Sequence, residues 1–139
     1  MHRFISPLVP LVALSLIVSG CRGNNDPVTA PPPPATIISS FSGTLTLNGA
    51  TSYSFTVAGT GGITAQLTSL TPDSAKPIGL SLGTWNGSIC QIVLANDASI
   101  QGSLVVGSAS AAGEFCVRIY DAAGTVVQPQ TYVIEVEHG

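Results

Sequence analysis

The sequence has very little charge. Asp, Glu, Lys and Arg make up 8% of its 139 residues, against about a quarter in an ordinary globular protein. From Phe41 onward, two cations, Lys76 and Arg118, face six carboxylates, a net charge of −4. Binding to a phosphate backbone needs several Lys or Arg on one face, so the composition argues against a nucleic-acid partner.

Candidate catalytic groups are also scarce. After residue 21 the only histidine is His138, which we expect to be frayed at the C-terminal end and unable to serve a Ser-His-Asp arrangement. Glu135 and Glu137 fall on one face of a strand, about 6 to 7 Å apart, but no cleft is evident and a solvated edge face is the simpler interpretation. We expect no enzymatic activity.

Metal ligands and cofactor motifs are missing in the same way. Asp73, Asp97 and Asp121 all fall in predicted turns, where an Asp side chain commonly hydrogen-bonds the local backbone. Calcium needs six to eight oxygens and a denser acidic cluster than these separated turns offer. The sequence therefore predicts no metal site and no cofactor.

The N-terminus has the layout of an export signal. A short positive head, Met1 to Arg3, precedes the apolar stretch Phe4 to Val18, and two small residues, Ser19 and Gly20, come next. A membrane-spanning helix is the alternative, but spanning takes about 20 apolar residues and this stretch has 15. Residues 1–20 are therefore predicted to be a signal peptide.

The end of this stretch, "VSGC", resembles the lipobox of bacterial lipoproteins, with Val18, Ser19 and Gly20 before Cys21. The resemblance implies cleavage before Cys21 and a diacylglyceryl group on its thiol, with the membrane as partner through this anchor. In two-membrane bacteria an aspartate after the cysteine favours the inner membrane. Here Arg22 follows, so the outer membrane is expected.

Residues 21–40 are interpreted as the lipidated cysteine followed by a disordered tether. The run "RGNNDPVTAPPPPATIISS" contains five of the ten prolines of the chain, and four consecutive prolines favour a stiff polyproline II rod. A proline-rich recognition ligand is the alternative interpretation.

Three cysteines in an exported protein leave one over, and lipidation of Cys21 would account for it. Cys90 and Cys116 then remain as a pair in an oxidising compartment, where a disulfide persists. A two-cysteine metal site is the rival, but no histidine or further cysteine stands nearby.

From Phe41 the apolar residues alternate with period two, which is typical of half-buried strands. In "FSGTLTL" and "TSYSFTV" one side is apolar and the other is hydroxyl-rich, and the "NGA" between them suits a hairpin turn. Further strands are predicted at "ITAQLTSL", "IGLSLGTW", "SICQIVLA", "SIQGSLVVG", "EFCVRIYD" and "TYVIEVE". Residues 41–139 are thus predicted to form an all-β, antiparallel, two-sheet sandwich of about eight strands, jelly-roll-like in topology.

The order of these segments resembles the bacterial pre-peptidase C-terminal domain. The matching stretches are "FSGTLTLNGATSYSFTV", "GGITAQL", "GLSLGTWNG", "AAGEFCVRIYD" and "YVIEVE". The resemblance implies a jelly-roll-like module of the kind attached to secreted peptidases and other exported proteins. Pro77, Ile78 and Gly79 precede Leu80 where the family usually has an aspartate, and the calcium binding of some relatives is not carried over.

Two aromatic residues are candidate ligand contacts. Alternation places Trp85 and Tyr120 off the core face, on the sides of Cys90 and Cys116 respectively. We expect the two cysteine strands to be neighbours in one sheet, with both aromatics flanking the bridge. Exposed aromatics suit sugar stacking, whereas the simpler alternative is that Trp85 covers the Asn86-Gly87 turn or the disulfide.

The predicted function is that of a lipid-anchored, non-catalytic binding or accessory module of the bacterial cell envelope. A carbohydrate-binding module that uses exposed aromatics is one alternative, and a purely structural or surface-display lipoprotein is another. A polysaccharide and an envelope protein are the two classes of partner that the sequence leaves open.

Overall fold

The structure is a computed structural model that describes residues 29–33 and 35–139, and in this part of the chain all regular structure is β-strand. The apolar residues of the sequence recur with period two because successive side chains of a strand point to opposite faces, and one face of each strand is buried. Their bounds are β1 Ile37–Leu45, β2 Ala50–Val57, β3 Gly61–Thr71, β4 Ile78–Trp85, β5 Cys90–Ser99, β6 Leu104–Ala109, β7 Gly113–Tyr120 and β8 Gln130–His138.

The strands form two antiparallel sheets of four strands each. Sheet A has the order β1-β8-β3-β6 and sheet B the order β2-β7-β4-β5. The pairs β1–β8, β2–β7, β3–β6 and β4–β5 are nested within one another, which is the connectivity of a jelly roll. The predicted two-sheet sandwich is confirmed.

The predicted hairpin between the first two strands is wrong. The turn does form: Asn48 has a φ of 54°, and the amide of Gly49 donates to the carbonyl of Thr46 at 2.9 Å. However, β1 pairs with β8 and β2 pairs with β7, so this turn carries the chain from sheet A to sheet B. The Asn86-Gly87 turn, by contrast, joins β4 and β5, which do pair.

The core lies between the two sheets. On β8, buried and more exposed residues alternate along the strand, and Tyr132, Ile134 and Val136 point inward. Opposite them, Val117 and Ile119 of β7 are fully buried. Because a one-residue slip would turn these side chains to water, the core fixes the register of each central strand.

The ordered domain begins earlier than residue 41. Residues 37–40, interpreted from sequence as tether, are the first residues of β1 and pair with β8, from Ile37 opposite His138 to Ser40 opposite Glu135. Ile37 and Ile38 are largely exposed, which is why they carry no burial pattern in the sequence.

Asp121 ties two loops together. Its carboxylate accepts hydrogen bonds from the amides of Asn48, Thr125 and Val126 at 3.0 to 3.1 Å. Desolvation alone would raise the pKa of Asp121, but these hydrogen bonds outweigh it and hold the pKa below its ordinary value of 3.8. The predicted turn role of this residue is confirmed, and it also links the β1–β2 turn to the β7–β8 loop.

Candidate functional site

Before Trp85 at its end, the outward face of β4 carries only small residues. Leu80 and Leu82 point into the core, so Gly79, Ser81 and Gly83 point outward. All residues from 78 to 83 are nevertheless buried, which means that neighbouring strands cover this outer face. The β7 residues opposite the three small ones in register are Tyr120, Arg118 and Cys116.

Cys90 and Cys116 form a disulfide with their Cα atoms 5.7 Å apart, so the predicted pairing is confirmed. The expectation that their strands are direct neighbours is wrong, because β4 lies between β5 and β7. The disulfide can pass over β4 because residue 83 is a glycine. A Cβ built on Gly83 would overlap the backbone carbonyl of Gln91, so β5 packs directly against this glycine. The bridge therefore joins the two strands that flank β4.

Tyr120 reaches across β4 at the other end of the strand, opposite Gly79 and four residues from Cys116, so the expectation that it flanks the disulfide is wrong. Its ring lies where a Cβ of Gly79 would be, and its hydroxyl donates a hydrogen bond to the carboxylate of Asp97 on β5. Burial, together with the hydrogen bond and negative charge of Asp97, raises the pKa of Tyr120 to about 12. One ring face and the hydroxyl are thus occupied within the protein, so Tyr120 offers a ligand little free surface.

Trp85 lines a shallow depression of about 290 Å³ on this outer face. Cys90 stands opposite Trp85 in register, so the indole flanks the disulfide as predicted. The other lining residues combine apolar surface, two hydroxyls and one cation: Ala50, Ser52, Ser88, Ile89, Cys90 and Arg118. An apolar floor with a few polar groups at its margin is the usual make-up of a small-ligand site.

Arg118 is the site residue that the sequence-based search for a ligand site missed. Its guanidinium carbon lies 5.3 Å from the centroid of the Tyr120 ring, within range of a cation–π interaction. Within the described residues, 29–33 and 35–139, its side chain makes no ion pair. Alternation along β7 puts Arg118 on the face of Cys116 and Tyr120, but only the fold brings it to the same depression as Trp85.

A second cavity, of about 250 Å³, opens between the edge strands β5 and β6. Its walls include Ile63, Leu82, Val93, Leu94 and Phe115, and no charged side chain lines it. Val93 is 70% exposed on the edge strand beside it. Three hydroxyl residues, Thr84, Ser108 and Ser110, also line this mainly apolar cleft, but it has no cation of the kind that Arg118 supplies to the depression at Trp85.

The expectation that His138 is frayed is wrong. The residue closes β8, is 4% exposed, and packs its ring against Phe55 with centroids 5.0 Å apart. Its Nε2 lies 3.0 Å from Oγ of Ser39, whereas its buried Nδ1 has no hydrogen-bond partner. The imidazole therefore lacks the carboxylate that orients the base of a Ser-His-Asp triad.

The carboxylates do not converge. Glu135 and Glu137 are exposed on the outer face of β8, which is a central strand of sheet A, so the expected edge location is wrong. Asp73 accepts a hydrogen bond from the amide of Ala75 at 3.0 Å, as its turn position predicts. No group of three or more metal-ligating side chains occurs in the portion of the chain that the structure describes.

The lipobox residues Val18, Ser19, Gly20 and Cys21 lie outside the described residues. Within residues 29–33 and 35–139 there is no helix of the length and apolarity needed to cross a membrane.

No protein-family model matches this sequence, and no curated protein matches it. The resemblances to bacterial lipoproteins and to the pre-peptidase C-terminal domain therefore stay interpretations of the sequence.

Proposed function

We propose that this chain is a lipid-anchored, non-catalytic binding module of the bacterial cell envelope, and that the outer face of sheet B binds a polysaccharide. The depression at Trp85 carries the proposal, because it combines an indole, serine hydroxyls and a cation on one face. Indole faces stack on the apolar faces of sugar rings, and hydroxyls at the margin hydrogen-bond the sugar hydroxyls.

The anchor and the tether support the envelope location. The lipobox-like "VSGC" would attach the chain through Cys21, and Arg22 favours the outer membrane where the organism has one. From Arg22 to Thr36 a fully extended tether spans about 50 Å, which is enough to present the domain clear of the lipid headgroups.

The arrangement of polar groups favours binding over catalysis. In the part of the chain that the structure describes, Ser52 and Ser88 at the depression have no histidine beside them, since His138 packs against Phe55 and lies within hydrogen-bond distance of Ser39. A nucleophile without a base has no means of activation. An accessory role beside a separate enzyme or transporter fits such a module.

The test uses the exported chain in detergent, where Trp85 is the only tryptophan and reports directly on its own site. Titration with purified cell-wall and capsular polysaccharides should give a saturable fluorescence change. In affinity electrophoresis, Trp85→Ala should weaken retention about fivefold or more, because stacking contributes roughly 1 kcal/mol or more. Val127→Ala, which alters a side chain that is 80% exposed and lies outside the depression, is the matched control.

Absence of any fluorescence change, together with equal retention of Trp85→Ala and the control, would reject polysaccharide binding. A purely structural or surface-display lipoprotein would then be the better account.

A further inference from the structure

Among residues 29–33 and 35–139, no carboxylate forms an ion pair with the guanidinium of Arg118. The strands of sheet B carry two carboxylates, and each has another partner: Glu114 accepts a hydrogen bond from the hydroxyl of Thr56 at 2.6 Å, and Asp97 accepts one from Tyr120. Glu114 is also four residues from Arg118 along β7, about 13 Å away on an extended strand. The guanidinium contacts the ring of Tyr120 but no carboxylate, so its charge is available to an anion from outside.

The position of Arg118 relative to Trp85 sets the kind of ligand. Arg118 stands opposite Ser81 in register, and Ser81 is four residues before Trp85 on β4. Along the strand direction, the Cα atoms of Arg118 and Trp85 are therefore about 13 Å apart. Because both side chains line one depression of about 290 Å³, one ligand can contact the indole and the guanidinium together.

The charge of the domain limits how acidic that chain can be. One cation lines the depression, while the domain from Phe41 onward has a net charge of −4. A densely charged polymer, such as a polyphosphate or a nucleic acid, would meet more repulsion than attraction. A polysaccharide with a separate carboxylate at intervals can place one of them on Arg118, whose planar donors bind a carboxylate in a bidentate manner.

We infer that the ligand is an acidic polysaccharide with sparse carboxylates, in which Trp85 stacks on one sugar ring and Arg118 binds the carboxylate of another. This inference rests on the proposed function and gives Arg118 the role of selecting acidic over neutral chains. Ser52, opposite Arg118 on β2, supplies a neighbouring hydroxyl to the same acidic sugar.

The experiment compares one polymer in two forms. The probes are a polysaccharide of alternating glucuronate and N-acetylglucosamine and the same polymer with its carboxylates reduced to neutral alcohols. Binding to the exported chain in detergent is measured by Trp85 fluorescence and by calorimetry. We expect the acidic form to bind about tenfold more tightly or better, the usual size of a charge-assisted pair of hydrogen bonds.

The variants assign the preference to one side chain. Arg118→Gln should reduce the preference for the acidic form to about twofold or less, and Arg118→Lys, which keeps the charge but not the planar fork, should retain an intermediate preference. Lys76→Gln removes one positive charge outside the depression and should leave the preference unchanged. Unchanged midpoints of thermal unfolding would show that each variant is folded.

The outcomes separate the two proposals. If both polymer forms bind equally to the wild type through Trp85, and Arg118→Gln changes nothing, the inference about acidic sugars is wrong while polysaccharide binding stands. If neither these polymers nor the wall and capsular polysaccharides perturb Trp85, both proposals fail together.

Discussion

Gly83 lies directly opposite Cys116 in the register of β4 and β7, and the disulfide of Cys116 leaves β7 on the side where Gly83 has no side chain. Cys90 is thereby reached across an intervening strand, with only 5.7 Å between the two Cα atoms. The carbonyl of Gln91 occupies the volume that a side chain at Gly83 would need. The glycine and the bridge are therefore mutually dependent, and together they bring Cys90 and Trp85 toward Arg118.

Gly83→Ala should lower the free energy of unfolding by about 3 kcal/mol, because the new methyl group meets backbone atoms that cannot move without breaking the sheet. Denaturant unfolding measures the change. Gly61→Ala is the matched control: it also adds a methyl to a strand glycine, but into open space, and should stay within about 0.5 kcal/mol of the wild type. Equal midpoints for the two variants would contradict the close packing of β5 on Gly83.

The disulfide should contribute about 3.5 kcal/mol, since it closes a loop between residues 26 apart in sequence. Replacing Cys90 and Cys116 together by Ala should lower the thermal midpoint accordingly. Titration of thiols in the denatured, exported protein should find neither of these two cysteines free, whereas a chain from Arg22 made in a reducing cytosol should show two. Two reactive thiols in the exported, unreduced protein would overturn the bridge.

Stability should fall at high pH through Tyr120. Its pKa is raised from 10.0 to about 12 in the folded protein, so its stabilising contribution is complete below pH 10 and is lost as the pH rises toward about 12. Tyr132 behaves in the same direction, with a pKa raised to about 12 by burial and by its hydrogen bond with Tyr53.

Tyrosinate absorbance during an alkaline titration measures this. Tyr120→Phe should remove one tyrosine from the absorbance change near pH 12. Asp97→Asn should move the ionisation of Tyr120 to lower pH by removing the neighbouring negative charge. Ionisation of Tyr120 at pH 10 in the folded protein would contradict both its burial and its hydrogen bond to Asp97.

His138→Ala should lower the free energy of unfolding by about 2 kcal/mol, because the ring packs against Phe55 in a buried position. Ser39→Ala removes only the hydrogen bond between the two side chains and should cost about 1 kcal/mol. Chemical denaturation of both variants separates packing from hydrogen bonding. If His138→Ala left the free energy of unfolding unchanged, the end of β8 would be frayed after all.

Cys21→Ser should block lipid transfer and cleavage, so that the precursor keeps its apolar head and migrates as the longer chain. Membrane fractionation and metabolic labelling with a fatty acid measure this. Arg22→Asp is the matched variant: it should keep the lipid but shift the protein toward the inner membrane of a two-membrane host. A mature-sized, water-soluble product from Cys21→Ser would reject the lipoprotein interpretation.

The strand pattern was readable from the sequence because each half-buried strand must alternate. The run "IGLSLGTW" predicted β4 with its observed bounds, and "EFCVRIYD" and "TYVIEVE" predicted β7 and β8 to within one residue. The start of β1 at Ile37 was missed, because residues that pair at the rim of a sheet without being buried leave no such signal.

The pairing of strands that are distant in the sequence could not be predicted in the same way. The turn at Asn48 has a conformation that suits a hairpin, yet the chain passes to the other sheet, because β8 and β7 already occupy the partner positions of β1 and β2. The choice depends on strands that lie far along the chain.

The sequence by itself determined the fold class, the cysteine pair and the neutral, hydroxyl-rich surface, since alternation, cysteine count and composition are properties of neighbouring residues and of totals. Only the tertiary structure decided that Cys90 reaches Cys116 across β4, that His138 is buried against Phe55, and that Arg118 and Trp85 line one depression. Each of these depends on which distant strands lie side by side, and hydrophobic burial summed over the whole jelly roll selects that arrangement.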